Sequence, residues 1–343
     1  MKKTRLGRTG LMVSELAMGC IPIMRLGFDQ AVDLVRYCFE NGITFFDTAR
    51  AYTDSEEKVG KALKGVREKV VLASKSMGRD AAAIAGHLAT SLANLRTSWI
   101  DIYQLHNVSN QKTLDGVLAP QGAYQALAEA KKQGKIRHIG ISCHNLDIAA
   151  KACQSGLFDT VQVPFNFVEP EAAEKLFPVA RSQDMGIIGM KPLAGGLLDR
   201  ADLCFSFLQQ YPEVVPDPGL QSRQEADEIL AMYRSPRSLS PEQLAEMERI
   251  RREMGPRFCH RCEYCLPCPQ KVLIPWVFSF RSMVRRFPPP RVLDFCQKAM
   301  ESAAECIECG ECVEKCPYEL PIPEMIQEYL AEYQEFTRQH AKK

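Results

Sequence analysis

From about residue 14 to residue 232, short runs of Val, Ile, Leu and Phe alternate with windows in which apolar residues recur every three to four positions. Such alternation predicts a parallel sheet with helical crossovers. Eight strand positions can be read, at residues 15–20, 44–48, 70–75, 100–106, 136–142, 160–165, 186–191 and 214–216. The last is weak, because Pro216 and Pro218 would each remove a ladder donor. Helical windows fall at residues 29–41, 55–64, 81–95, 121–133, 146–154, 170–181 and 222–232. Eight strand–helix units in this length predict an α/β fold, a (β/α)8 TIM barrel rather than an open doubly wound sheet. A dinucleotide fold of the open type needs a G-x-G-x-x-G turn after its first strand, and none follows here.

The texture changes at Ser235, where Pro236, Pro241, Pro256 and the triplet Pro288-Pro289-Pro290 punctuate short helical stretches. The expected domains are therefore a barrel over residues 1–234 and a mainly helical C-terminal domain over residues 235–343, with an amphipathic helix at 241–254. Length and a 46% hydrophobic content allow one large core plus a smaller module. A net charge of +1 disfavours nucleic acid and anionic membranes as partners. No run of 18 apolar residues and no secretion signal are visible, so the expectation is a soluble, cytoplasmic protein.

Eight of the 14 cysteines lie in two tight runs. Cys306, Cys309, Cys312 and Cys316 precede Pro317 in the ferredoxin spacing C-x2-C-x2-C-x3-C-P, and Cys259, Cys262, Cys265 and Cys268 precede Pro269. Two 4Fe-4S clusters, and hence a ferredoxin-like domain, are the expectation. In two-cluster ferredoxins the fourth cysteine serves the other cluster. That rule groups Cys259, Cys262, Cys265 and Cys316 around one cluster and Cys306, Cys309, Cys312 and Cys268 around the other, although only two residues precede Cys268. The alternative is a pair of four-thiolate zinc sites, which more commonly split their cysteines into separated pairs. Whether the clusters conduct electrons or only brace the fold stays open at this level. The basic stretch Arg281, Arg285, Arg286 and Arg291 suits an acidic redox partner such as ferredoxin or a flavoprotein, or is a solvated face.

Polar residues fall at or just past the C-terminal ends of consecutive strands: Asp47 and Tyr52 after the second, Lys75 after the third, His106 after the fourth. In a barrel these ends share one mouth, where active sites are built. With Arg5-Leu6-Gly7-Arg8-Thr9-Gly10-Leu11, Phe46-Asp47-Thr48-Ala49-Arg50-Ala51-Tyr52 and the strand 136–142, the chain resembles the aldo-keto reductase superfamily over residues 4–230. With the cysteine runs it resembles that superfamily's iron–sulfur branch. The resemblance implies a catalytic tetrad of Asp47, Tyr52, Lys75 and His106 and a small carbonyl or alcohol substrate. It also implies NADP or NAD, held by Ser142, Gln162 and Asn166 at the carboxamide and by Gly195, Gly196 and Leu197 across the pyrophosphate. Gly219, Ser222 and Arg223 would serve the adenosine phosphate, at a helix N-terminus that offers unpaired N–H groups. Departures from the pattern are Cys143 for the usual Asn, Ile229 for an Asn near the adenine, and Met190, followed by Lys191, for the aromatic residue that stacks on nicotinamide. Two other readings are an electron-transfer oxidoreductase coupled to ferredoxin or flavin, and a redox sensor or accessory subunit without turnover.

Overall fold

The computed structural model describes every residue except Arg237, Cys262, Pro317 and residues 341–343, and all but the side chain of Pro256. The chain forms two compact units, Met1–Ala194 with Leu198–Leu239, and Gly195–Leu197 with Ser240–Lys343. The division falls just beyond the 234/235 boundary expected from composition, at the Ser240 helix cap.

In the first unit, β1 (Lys3–Arg5) and β2 (Met12–Ser14) form an antiparallel hairpin. There follow β3 (Met18–Gly19), α1 (Phe28–Glu40), β4 (Phe45–Asp47), α2 (Ser55–Ala62), β5 (Val71–Ser76), α3 (Ala81–Asn94) and β6 (Ile100–Leu105). Next come α4 (Gln111–Leu118), α5 (Ala123–Lys132), β7 (Ile136–Ser142), α6 (Leu146–Gln154), β8 (Thr160–Pro164), α7 (Ala172–Lys175) and α8 (Phe177–Ser182). The unit ends with β9 (Gly186–Met190), α9 (Ala201–Leu208), β10 (Val214–Asp217) and α10 (Arg223–Arg234). Strands β3 to β10 run parallel in sequence order through one eight-stranded sheet.

The sheet curls until its edges meet. Ala17 N–H donates to Pro216 O at 2.9 Å and Gly19 N–H to Pro218 O at 2.8 Å, giving a near-closed barrel. Prolines are tolerated in β10 because at this seam the strand supplies carbonyl acceptors, which proline retains. The seam is tight: a Cβ on Gly19 would lie 2.6 Å from Asp217 O.

Side chains on a strand alternate between faces, so residues two apart share the interior. Phe45, Ala73, Ile102, Ile188 and Val215 pack into one buried cluster with Leu6 and Val13, which the N-terminal hairpin brings to it, and with Ala17 just before β3. The positions two residues further along these strands are Asp47, Lys75, Gln104, Met190 and Asp217. A layer that is polar except for Met190 therefore lies directly above the apolar one, toward the C-terminal mouth.

In the second unit, α11 (Pro241–Met254) opens with a capping box between Ser240 and Gln243. It is followed by α12 (Ile274–Val277), α13 (Phe280–Arg286), α14 (Pro289–Ala303), α15 (Glu311–Glu314) and α16 (Ile322–His340). Val277, Phe280, Val292, Met300, Met325 and Ile326 form its buried interior. Among the described residues no helix is long and apolar enough to cross a membrane.

Candidate active site and cysteine cavities

Each tetrad position has a local structural cause. Asp47 and Lys75 belong to the interior polar layer and are 2% exposed. Lys75 Nζ donates to Asp47 Oδ2 and, at 2.8 Å, to Thr48 O. His106 follows β6, anchored by its N–H to Ser76 O at 2.9 Å. Tyr52 is carried by a tight turn between β4 and α2, in which Tyr52 N–H donates to Ala49 O and Ser55 N–H to Tyr52 O. Ser55 Oγ fastens the end of that turn by donating to Cys20 O at 2.8 Å. The Tyr52 and His106 rings meet edge to face at 5.9 Å, and Lys75 Nζ stands 5.1 Å from the Tyr52 ring centroid. All four residues of the expected tetrad are thus brought together.

The electrostatics follow from this packing. Burial works against the Lys75 charge, but Asp47, Tyr52 and Asp217 more than offset it and hold the ammonium above its ordinary pKa. Burial, reinforced by the positive charges of Lys75, Arg79 and Lys191, pushes His106 well below 6.5, so the imidazole is neutral. Its Nδ1 is buried with no hydrogen-bond partner among the described residues.

Several groups expected to hold the dinucleotide are already engaged within the chain. Asn107 N–H donates to Ser142 Oγ at 2.9 Å. Gln162 is turned into the barrel, its Nε2 donating to Asp47 Oδ2 at 3.2 Å and to Asp217 Oδ2 at 2.7 Å. Asn166 closes a local turn, with Oδ1 accepting the N–H groups of Val168 and Glu169 and Nδ2 donating to Glu169 and to Lys191 O. Met190 ends β9 partly exposed, and Lys191 follows with φ +58°, its ammonium donating to His144 Nε2 at 2.8 Å. Gly219 packs on Pro22, where a Cβ would fall 2.6 Å from Cγ. Ser222 caps α10 by accepting Glu225 N–H, and the Glu225 carboxylate accepts Gln221 N–H at 2.8 Å, so an acidic group already occupies that helix start. Arg223 lies over the Tyr37 ring at 4.9 Å. Gly195, Gly196 and Leu197 belong to the second unit, where Ser282 Oγ donates to Gly195 O and Arg285 to Gly196 O at 2.5 Å.

Sequence reasoning missed Gln104, whose Nε2 donates to Asp47 Oδ1 at 3.2 Å and to Gln162 Oε1 at 3.0 Å. Its signal was present: two residues before His106, it must share that residue's face of the strand. His144 was also missed. Because Lys191 can only donate, His144 Nε2 accepts and Nδ1–H donates to Asn107 Oδ1 at 3.0 Å.

The cysteines line two cavities in the second unit. Cys268, Cys306, Cys309 and Cys312 face one, and Cys259 and Cys316 face the other, with Cys265 reaching both. Burial raises the Cys312 thiol to about 11, and Cys306, Cys268 and Cys309 add to that shift, which marks them as its neighbours. Cys262 lies outside the described residues. Among the described residues no three ligating side chains converge closely enough to hold a single metal ion. Sulfurs spread around a cavity suit a polynuclear cluster better than a mononuclear zinc site.

Comparison with known proteins agrees with both halves. Residues 16–245 match the aldo/keto reductase family and residues 258–321 match a 4Fe-4S dicluster domain. The uncharacterized oxidoreductase YrpG of Bacillus subtilis is 32% identical over 231 residues, 58% of this chain and 68% of its own. L-galactose dehydrogenase of Arabidopsis thaliana is 33% identical over 212 residues, covering 56% and 66%. A putative aldo-keto reductase from Pseudomonas aeruginosa aligns with a TM-score of 0.59 at 31% identity, over 67% of this chain and 94% of that one. An aldo/keto reductase from Klebsiella pneumoniae, solved with NADP and acetate, aligns at 0.59 and 26% identity over 73% and 95%.

Proposed function

The chain belongs to the aldo/keto reductase family, and from that premise we propose that this oxidoreductase interconverts a small carbonyl compound and its alcohol with NADP or NAD. The observation that carries the reading is the buried Lys75 ammonium, paired with Asp47 and facing the Tyr52 ring beside a neutral His106. A carbonyl that accepts hydride becomes an alkoxide and must be protonated, yet an ordinary phenol with a pKa of about 10 is a reluctant donor. An adjacent ammonium favours phenolate over phenol, so Tyr52 is the proton donor and, in reverse, the acceptor. Neutral His106 hydrogen-bonds the carbonyl oxygen and holds it toward Tyr52. The nicotinamide dinucleotide, when bound, supplies or takes the hydride. Ser142, Met190 and Lys191, at the ends of β7 and β9, are the positions from which the chain would hold it, and a thioether can pack on a ring. The Klebsiella relative's complex supports NADP. Gln162 and Asn166, engaged within the chain, act by fixing Asp47 and the Lys191 backbone.

The two cysteine-lined cavities support two 4Fe-4S clusters, with the fourth cysteine of each run exchanged. Clusters held there would also serve a second reading, in which they pass electrons to a ferredoxin or flavoprotein and the tetrad supplies protons only.

One anaerobic experiment on the cluster-loaded protein tests both readings. Tyr52→Phe is expected to lose about 10²- to 10⁴-fold of NADPH-dependent reduction across a panel of aldehydes and ketones while retaining NADPH binding. Unchanged rates would remove Tyr52 as donor. Bleaching of the visible cluster absorbance by NADPH, with no carbonyl reduction, would favour electron transfer instead.

A further inference from the structure

The barrel interior holds one ionisable group that proton transfer by the tetrad leaves unused. Asp217 ends β10, two residues beyond Val215 of the apolar layer, so it enters the same polar layer as Asp47 and Lys75. The side chain is buried. A single amide group, Gln162 Nε2, donates to Asp217 Oδ2 at 2.7 Å and to Asp47 Oδ2 at 3.2 Å, tying the two carboxyls together. Asp217 Oδ1 is buried and, among the described residues, accepts no hydrogen bond.

Two carboxyls therefore face one ammonium. The ionisable groups that meet Asp217 are Asp47 from β4, Lys75 from β5 and, more weakly, the Cys20 thiol after β3. Were both acids ionised, the interior would carry a net negative charge and an oxygen without a donor, both costly away from water. One proton on Asp217 removes both problems, because it cancels the extra charge and converts an orphan acceptor into a donor toward Asp47. The electrostatics agree: burial first, then the Asp47 charge and its hydrogen bond, hold the Asp217 carboxyl well above the ordinary carboxylate range against the pull of Lys75.

We propose that Asp217 is a positioning residue that carries a proton, donates it in a hydrogen bond to Asp47, and so holds the Asp47–Lys75 pair where Lys75 acts on Tyr52. This inference rests on the carbonyl-reduction reading. It gives Lys75 one full negative partner rather than two. An ionised Asp217 would oppose the phenolate of Tyr52 and weaken turnover, so its ionisation contributes to the alkaline limb of the pH–rate profile.

The test uses the full cluster-loaded chain with NADPH and 4-nitrobenzaldehyde. Asp217→Asn keeps a neutral donor of the same shape; Asp217→Val removes it. Asp217→Asn is expected to hold kcat within about threefold and to flatten the alkaline limb. Asp217→Val is expected to lose at least about tenfold in kcat, with KM and the fluorescence-titrated NADPH affinity within about twofold. Infrared difference spectroscopy at neutral pH should show a buried carboxylic-acid C=O stretch that Asp217→Asn lacks. Any one of three results overturns the proposal: no such band difference, wild-type kcat in Asp217→Val, or equal losses in the two variants. Should Asp217→Val fail to fold, Asp217→Asn and the infrared band still decide. A wild-type protein that does not reduce carbonyls would overturn the functional reading instead, and the infrared band would then judge the proton on Asp217 by itself.

Discussion

His106 is neutral because burial and three neighbouring cations all oppose its protonation, and this has a consequence for stability as well as chemistry. Its pKa in the folded protein lies below the value of about 6.5 in an unfolded chain. Below that pH the unfolded state takes up a proton that the folded state refuses, so stability present at neutral pH is lost on acidification. His106→Gln, which cannot titrate, should escape this contribution. In thermal melts the wild type is expected to lose its advantage over, or fall behind, His106→Gln as pH drops from about 7 to about 5. A constant gap between the two melting curves would show that the imidazole is not held neutral by its surroundings. The same variant should turn over more slowly, since an amide polarises the carbonyl less well than the ring it replaces.

The barrel's elements depend most on the seam between β3 and β10. Gly19 has no room for a side chain there, because its Cβ would meet Asp217 and Pro218 backbone atoms at 2.6 and 3.1 Å. Backbone cannot rotate away as a flexible side chain would, so Gly19→Ala must part the two strands. About 1–3 kcal/mol of destabilisation is expected in denaturant unfolding, the usual cost of overpacking. Catalysis should fall in the same variant, because the displaced strand carries Asp217. The eight strands were legible because strands buried on both faces read as continuous apolar runs. That Asp47, Tyr52, Lys75 and His106 would lie together was legible because a barrel converts strand ends into one neighbourhood. Asp217 was not, since Pro216 and Pro218 made β10 look doubtful, and only the closing hydrogen bonds show why they are tolerated. Helix α9 escaped detection for another reason: six of the eight residues of Ala201–Leu208 are buried, which narrows the polar stripe that marks an amphipathic helix. Helix α4 did carry a start signal, the Asn110 side chain accepting Thr113 N–H, but Gly116 and a polar surface obscured its period. Residues 170–181 form two short helices rather than one, because Pro178 in the first turn of α8 cannot extend the preceding helix. At Ser222 the hydroxyl caps α10, and the Glu225 carboxylate accepts the Gln221 N–H at the same helix start.

At the scale of the whole molecule, the second unit is where cofactor and fold become one question. Its helices bury a modest apolar interior, and both cysteine runs lie largely in irregular chain between them. Because a cluster site is assembled only in the folded chain, the free energy of binding the cluster also contributes to folding. With fourth cysteines exchanged, each proposed cluster would pin two segments that are distant in sequence, closing a long loop and restricting the unfolded chain more than two local knots would. The cavity lined by Cys268 together with Cys306, Cys309 and Cys312 favours that exchange. It has a distinctive genetic signature. With exchange, Cys268→Ser and Cys306→Ser damage the same cluster, so their residual electron paramagnetic resonance spectra after reduction should coincide. Cys316→Ser and Cys259→Ser should then share the complementary spectrum. Without exchange, Cys268→Ser would group with Cys259→Ser and Cys316→Ser with Cys306→Ser. Iron and sulfide content falling by about half in each variant, with the spectra paired in the first way, is the expected outcome; the second pairing would refute the exchange while leaving two clusters in place.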